Sequence, residues 1–392
     1  MKAFRFTKVP PIHFGAGQLQ CLPDTIAQLQ GDRVLLVTGE QSLAESGTLT
    51  QVQSSLTDAG VAVHHMVCDR PPSDVLLDRA IAELEPLSIN IIVAIGGGSA
   101  IDMAKALSAF AMQDCPAREF LKNLEANTLL VSAKLPTIAI PTTAGVGSEV
   151  TSKVAIERAD ITGVRRFFSH PLFTPDAIIL DPQLTLSCPA QLTASSGLVT
   201  LVHLLEAKLS PEISPLADAI VWNGLEALKD NLLLVCSTRS KSLTAHSKMS
   251  YASCLSGLGQ ANLPLGMLQG LALTLSSFCP IPYRVACSTL AGVAMRIQLK
   301  ALRARTPHSP VLQQIAKVGA LFDGRMQQNS NYYCDASIDL LEAWVQILNI
   351  PRLRNYGIKL EHLAPVVEKT LDTVPNIGLS RDELHTILQE RL

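Results

Sequence analysis

A chain of 392 residues with 47% hydrophobic content can bury a large core, and its size points to two domains rather than one. The formal charge is only −2, from 32 Lys and Arg against 34 Asp and Glu, and no basic block occurs. That balance excludes the electrostatic footprint of a nucleic-acid binder.

The opening MKAFRFTKVPPIHFGAG has no apolar stretch followed by a small-residue cleavage site, so it reads as the mature start of a cytoplasmic protein. From residue 34, short β-branched runs alternate with longer amphipathic stretches. VLLVT (34–38) predicts a strand, and helical spacing follows to residue 59. VAVHHMV (61–67) predicts the next strand, and Pro71, Pro72 and Ser73 announce a helix over 74–86. NIIVAI (90–95) is a third strand, and 100–112 the next helix. This alternation implies βαβ units on a parallel sheet, whose ligands bind beyond the carboxyl ends of the strands.

Beyond residue 188 the pattern changes. LTASSGLVTLVHLLEAKL, ADAIVWNGLEALKDNLLLV, SYASCLSGLGQANLPLGMLQGLALTL and IDLLEAWVQIL all show helical apolar spacing, and no convincing strand remains. The chain is therefore expected to divide into an α/β domain, 1–187, and an all-helical domain, 188–392, with the boundary in DPQLTLSCPAQLT (181–193). RARTPHSP (303–310) and NSNYYCDAS (329–337) read as exposed loops. No uninterrupted apolar run reaches about 18 residues, so no membrane partner is expected. The nine cysteines include no CxxC pair and read as small buried residues or inert thiols, not as a disulfide framework or zinc ribbon.

Two glycine-rich loops behind strand-like runs carry the chemistry. After Ile95, Gly96, Gly97 and Gly98 remove the Cβ atoms that would block a pyrophosphate, so backbone N–H groups of the loop and helix start can face phosphate oxygens. Ser99 and Asp102, three apart, read either as a capping box or, for Asp102, as a direct nucleotide contact. Ile101 occupies the place of the third glycine in GxGxxG, and a lone GGG loop serves equally well as a tight turn. In PTTAGVGSE (141–149), Thr142, Thr143 and Ser148 supply hydroxyls, and Gly145 and Gly147 permit close backbone approach. Any one of these hydroxyls also reads as a turn cap. The pair of loops, each behind its own strand, is far more specific than either alone.

GGGSAIDMAK, IPTTAGVGSEVT, TPDAIILDPQLT (174–185) and SSGLVTLVHLLEAKLS (195–210) resemble the iron-containing, or group III, alcohol dehydrogenase family, a relative of dehydroquinate synthase and glycerol dehydrogenase. The resemblance implies a dehydroquinate-synthase-like architecture: an α/β N-terminal dinucleotide-binding domain, an all-α C-terminal domain, and an active site in the cleft between them. It implies an NAD(P)-dependent oxidoreductase acting on a small alcohol or aldehyde, assembled as a homodimer or with a homologue. By position it implies that Gly97, Gly98, Ser99, Asp102, Thr142 and Thr143 bind the dinucleotide, with Ser148 and Leu184 as further candidates. Arg165, in GVRRFF, stands where the family usually has a Lys near the cofactor. NAD-preferring relatives carry an Asp after the first strand, where this chain has Gly39. Losing that carboxylate removes repulsion against a 2′-phosphate, and Ser42 can donate to one, although Glu40 is adjacent. The implied cofactor is NADP, with NAD possible.

At the metal the resemblance breaks. The family's ligand helix reads roughly GMDALTHAIEAY, with an Asp and a His four apart; here GLVTLVHLLEAK has Val199 for the Asp and keeps only His203. In GMLQGLALTLS, Gln269 stands at the next ligand His and Leu273 at the second His of that stretch, and Tyr283 replaces the last ligand. One imidazole, an amide and a phenol do not supply the donors that iron or zinc needs, so no metal is expected. His64-His65 offers no rival site, because neighbours on a strand point to opposite faces. Two accounts follow. In one, the chain remains an oxidoreductase, with Tyr283 and His203, and Arg284 or Lys208 nearby, supplying the proton. In the other, the chain is a catalytically silent nucleotide-binding subunit.

Overall fold

The computed structural model describes residues 3–126, 133–157, 165–237, 241–326, 328–374 and 378–392. Two compact units emerge: Lys8–Cys188, and Pro189–Leu392 together with the N-terminal segment as far as Thr7. That segment was expected in the α/β domain. It groups instead with the helices, where the Thr7 N–H donates to Asn262 Oδ1 at 2.7 Å.

The first unit runs β1 (Ile12–Phe14), α1 (Leu22–Gln28), β2 (Arg33–Gly39), α2 (Ser42–Glu45), α3 (Thr48–Asp58), β3 (Ala62–Cys68), α4 (Asp74–Leu84), β4 (Ile91–Gly96), α5 (Gly98–Phe110), α6 (Ala117–Glu125), β5 (Thr137–Pro141), β6 (Lys153–Glu157), β7 (Arg165–Ser169) and β8 (Ala177–Leu180). Six strands form a parallel sheet in the order β1-β8-β5-β4-β2-β3, and β6 and β7 pair antiparallel beside it in sequence. The central strands carry runs of apolar residues, such as Val34–Val37 and Ile91–Ile95, because both faces are covered. Val34, Leu36, Val93 and Ile140 pack toward Val52 and Leu56 of α3, while Leu35, Val37, Ala94 and Ala139 pack toward α4, α5 and α6. That alternation is the pleat read residue by residue. Because α3 and α5 lie on opposite faces, the winding reverses between β2 and β4. Ligands of such sheets bind outside the carboxyl ends at that reversal, which here are Gly39 and Gly96.

The second unit contains α7 (Ala190–Leu209), α8 (Pro215–Lys229), α9 (Leu232–Cys236), α10 (Leu243–Ala261), α11 (Met267–Phe278), α12 (Tyr283–Arg305), α13 (Pro310–Asp323), α14 (Ser330–Ile347), α15 (Leu363–Thr373) and α16 (Arg381–Glu390). The segment 329–337, expected as a loop, is the start of α14. Its Asn329 side chain accepts from the Tyr332 N–H, so the polar cluster is a helix cap. The other expected loop shrinks to residues 306–309, since α12 continues through Arg305 and Ser309 caps α13. Among the described residues only α12 is long and apolar enough to cross a membrane, and most of that stretch is buried. None of the nine cysteines forms a disulfide.

Candidate functional site

In the α/β unit the two glycine loops meet. The Thr142 N–H donates to Gly96 O at 3.0 Å, joining the end of β5 to the end of β4. A Cβ on Gly96 would lie 2.7 Å from Ala100 Cβ and 3.2 Å from Gly39 N, so only glycine lets the three segments approach this closely. Gly97 is the N-cap of α5 and lies beside Thr143, 3.7 Å from its Cγ2 to the place a Cβ would take, and nothing lies within 4 Å of that place on Gly98. No side chain caps α5, so its first N–H groups remain available to an anion. Ser99 is exposed in the first turn.

Beside these loops lies a pocket of about 460 Å³ between α3 and the turn after β8. Ser42, Thr142 and Leu184 line it, as do Ser46, Thr48, Gln51, Ser55 and Gln183, which the sequence reading did not single out. Hydroxyls and amides of this kind look like any solvated surface in sequence. Asp181 was also missed, although it sits in the quoted TPDAIILDPQLT; its two oxygens accept from the Leu19 and Gln183 N–H groups, each at 3.0 Å, and tie opposite rims together.

Asp102 is not half of a capping box; its carboxylate, partly exposed, braces the second loop. Its Oδ1 accepts from Ser148 Oγ at 2.7 Å and its Oδ2 from the Ala155 N–H at 3.2 Å. Ser148 is thereby turned inward as well. Beneath them Lys105, 1% exposed, donates to Ser148 O at 2.8 Å and Lys153 O at 2.6 Å. Burial pushes the Lys105 amine down to about 8 and the Glu149 carboxyl up to about 7. Burial likewise raises Asp102, opposed first by the Lys105 charge. Arg165 faces Glu157 across the β6–β7 pair, Nε to Oε1 3.4 Å, and its charge also acts on Asp102.

In the helical unit Val199, His203 and Gln269 are buried, and His203 Nε2 lies 2.8 Å from Tyr283 Oη. The carboxamide nitrogen of Gln260, on α10, meets His203 Nδ1. Tyr283 is also hydrogen-bonded to the Cys287 thiol one turn along α12, and burial drives the phenol and thiol well above their ordinary values. Glu206, one turn beyond His203, accepts the Leu268 and Gln269 N–H groups at the start of α11. Burial pushes its carboxyl up to about 7. Lys208 does not join this group: its ammonium pairs with Asp218 and lies 5.2 Å over the Trp222 ring. Of His64 and His65, only His65 is engaged from the strand, with Nε2 2.9 Å from Thr38 Oγ1. Among the described residues no group of three His, Cys, Asp or Glu converges as metal donors.

Comparison with known proteins identifies the family. The family model described as iron-containing alcohol dehydrogenase matches residues 10–182, and that for the C-terminal part of the family matches residues 193–390. The chain is 26% identical to the sulfoacetaldehyde reductase of Bilophila wadsworthia, covering 99% of this chain and 98% of that protein. It is 31% identical to long-chain-alcohol dehydrogenase 1 of Geobacillus thermodenitrificans, over 70% of this chain and 68% of the relative. It is 27% identical to the NADPH-dependent butanol dehydrogenase of Clostridium saccharobutylicum, over 90% and 87%. A crystal structure of 1,3-propanediol oxidoreductase superposes with a TM-score of 0.86 at 25% identity, covering all of both chains. The chain belongs to the iron-containing alcohol dehydrogenase family.

Proposed function

We propose that this chain is a cytoplasmic NADP(H)-dependent aldehyde reductase, reversible to alcohol oxidation, in which Tyr283 rather than a bound metal serves the substrate oxygen. The observation that carries the reading is the 2.8 Å hydrogen bond between His203 Nε2 and Tyr283 Oη, at two positions where the family places ligands. The donor set does not fit iron or zinc. Val199 offers no donor, the Gln269 amide is neutral, and both ring nitrogens of His203 are already engaged, by Tyr283 and Gln260.

The α/β unit fits a dinucleotide. The uncapped start of α5, with Gly97, Gly98 and Thr143 beside it, offers N–H groups to a pyrophosphate. The pocket reaching Ser42 offers hydroxyls to the adenosine end, and Gly39 leaves room there for a 2′-phosphate. Ser148 and Asp102 support this loop from beneath through their bond to each other. When bound, a nicotinamide cofactor supplies the hydride, and the protein has only to place and polarise the carbonyl. The Tyr283 hydroxyl donates its proton to the developing alkoxide oxygen, and His203 holds the phenol oxygen in place. The nine cysteines, none in a disulfide, suit a reducing compartment.

One observation favours the silent nucleotide-binding subunit instead: the Tyr283 hydroxyl is already satisfied by His203 and Cys287. The decisive experiment measures reduction of short aldehydes by NADPH, alongside iron and zinc content and the effect of EDTA. Turnover is expected with well under one metal per chain and no loss on chelation. Tyr283→Phe is expected to lower turnover about 10²- to 10⁴-fold, with NADPH affinity unchanged, as for loss of a general acid. Activity that tracks bound metal, or a Tyr283→Phe variant equal to wild type, overturns the proposal. Nucleotide binding without turnover on any aldehyde moves the assignment to the silent subunit.

A further inference from the structure

We infer that Gln260 is a positioning residue: its carboxamide fixes the tautomer of His203 and thereby turns the Tyr283 proton away from the imidazole. This rests on the reading of Tyr283 as proton donor. A neutral imidazole has one donor and one acceptor nitrogen, and whatever meets the first decides the role of the second. At His203, Nδ1 faces the nitrogen of the Gln260 side chain. An amide nitrogen only donates, so Nδ1 accepts and the ring proton sits on Nε2. Nε2 then donates to Tyr283 Oη across 2.8 Å.

The other end of the chain completes the run. A phenol that accepts from His203 has its own proton to place, and the Cys287 thiol is hydrogen-bonded to it. A thiol sulfur is a weak acceptor, so a carbonyl oxygen can take its place without loss. The run is therefore directed from Gln260 through His203 and Tyr283 to Cys287, and it spans three helices, α10, α7 and α12. Were an acceptor to face Nδ1 instead, the ring proton would move to Nδ1. Nε2 would then accept from the phenol, and the Tyr283 proton would be held by His203, unavailable to a substrate. Side chain 260 thus selects between two opposite polarities of the same contacts.

Substituting Gln260→Glu reverses the chemistry at Nδ1 with little change of shape, because a carboxylate only accepts. The test uses the full-length protein labelled with ¹⁵N-histidine, the His203 signals being assigned by their loss in His203→Gln. Wild type is expected to show an unprotonated Nδ1 and a protonated Nε2, and Gln260→Glu the reverse. With butanal and NADPH, Gln260→Glu is expected to lower kcat at least about 100-fold at unchanged KM for NADPH, the scale of losing a general acid. A wild-type ring protonated at Nδ1 overturns the inference, as does a reversed tautomer with undiminished kcat. Should Gln260→Glu fail to fold, or its ring carry a proton on both nitrogens beside the new carboxylate, Gln260→Leu is expected to lose the single tautomer, and a pure Nε2–H ring in that variant overturns the inference. The NMR arm needs no turnover. A Tyr283→Phe variant as active as wild type refutes the proton-donor reading alone, while the tautomer stands or falls on its own signal.

Discussion

Lys105→Met tests how the second nucleotide loop is anchored. Lys105 is the largest fully buried charged side chain of the α/β unit, and its ammonium donates to two backbone carbonyls, Ser148 O and Lys153 O. Two large terms oppose each other on its removal. Stranding those carbonyls and leaving Asp102 without its cation costs about 3–5 kcal/mol, as for breaking a buried pair. Against that, burial lowers the amine from 10.5 to about 8, a desolvation that outweighs its attractions by about 3 kcal/mol. At pH 7 the variant is therefore expected to be destabilised by no more than about 2 kcal/mol, the difference of those terms.

The pH dependence is the sharper readout. Between pH 8 and 10.5 the unfolded chain holds a proton on this amine that the folded chain has released. Unfolding then takes up a proton, so rising pH disfavours it, and wild type gains stability across that window. Lys105→Met lacks the gain. Urea unfolding of both proteins, followed by far-UV circular dichroism from pH 7 to 10.5, should show wild type pulling ahead by about 3 kcal/mol at the alkaline end. Subtracting the two removes the contributions of Lys134 and Lys153, which burial shifts the same way. A difference that stays flat with pH, or shrinks, refutes the claim that a charged amine is held there against its desolvation.

Two other outcomes bear on the fold and the cofactor. A Cβ at Gly39 meets nothing within 4 Å, so Gly39→Asp should fold normally and shift relative affinity from NADP(H) toward NAD(H) by about 1–3 kcal/mol in calorimetry; clear NAD(H) preference in wild type counts against the assignment. Gly319 packs α13 onto α14 so closely that a Cβ would sit 1.9 Å from the Tyr333 carbonyl oxygen. Gly319→Ala should therefore cost at least about 2 kcal/mol, and a melting temperature within a degree of wild type would show that the helices separate freely.

The elements were legible because the sheet writes them into the chain. Strands buried on both faces read as continuous β-branched runs, and the glycines at Gly39 and 96–98 fall where the winding reverses. What the sequence hid was partnership. Asp102 looked like a capping or ligand carboxylate because its neighbours along the helix are visible, whereas its hydrogen-bonding partners, Ser148 and Ala155, lie 46 and 53 residues away. Lys105 was not singled out for the same reason: its partners, Ser148 O and Lys153 O, lie 43 and 48 residues away. The Asn and Ser residues at 329–330 read as a loop because the residues that cap a helix are those that populate turns. Gln260 and Cys287 carried no motif, and only the meeting of α7, α10 and α12 brings them to His203 and Tyr283.

The residues around His203 make more sense together than singly. A metal held by a carboxylate and imidazoles is a charged assembly in which protein and ion balance each other. Val199, Gln269 and Tyr283 are all neutral, and the buried imidazole has to find one donor and one acceptor among its neighbours. Gln260 and Tyr283 provide that match, and Cys287 receives the proton left over. A chain of this kind is sensitive to a charge placed beside any one member. A carboxylate at 199, one turn before His203 on α7, would draw a proton onto that imidazole and undo its single tautomer. Breaking any one contact would leave a buried polar group unmatched, at about 1–3 kcal/mol apiece. The neutral hydrogen-bond chain is therefore held by mutual dependence among its members, which is why the polarity set at Gln260 reaches as far as Cys287.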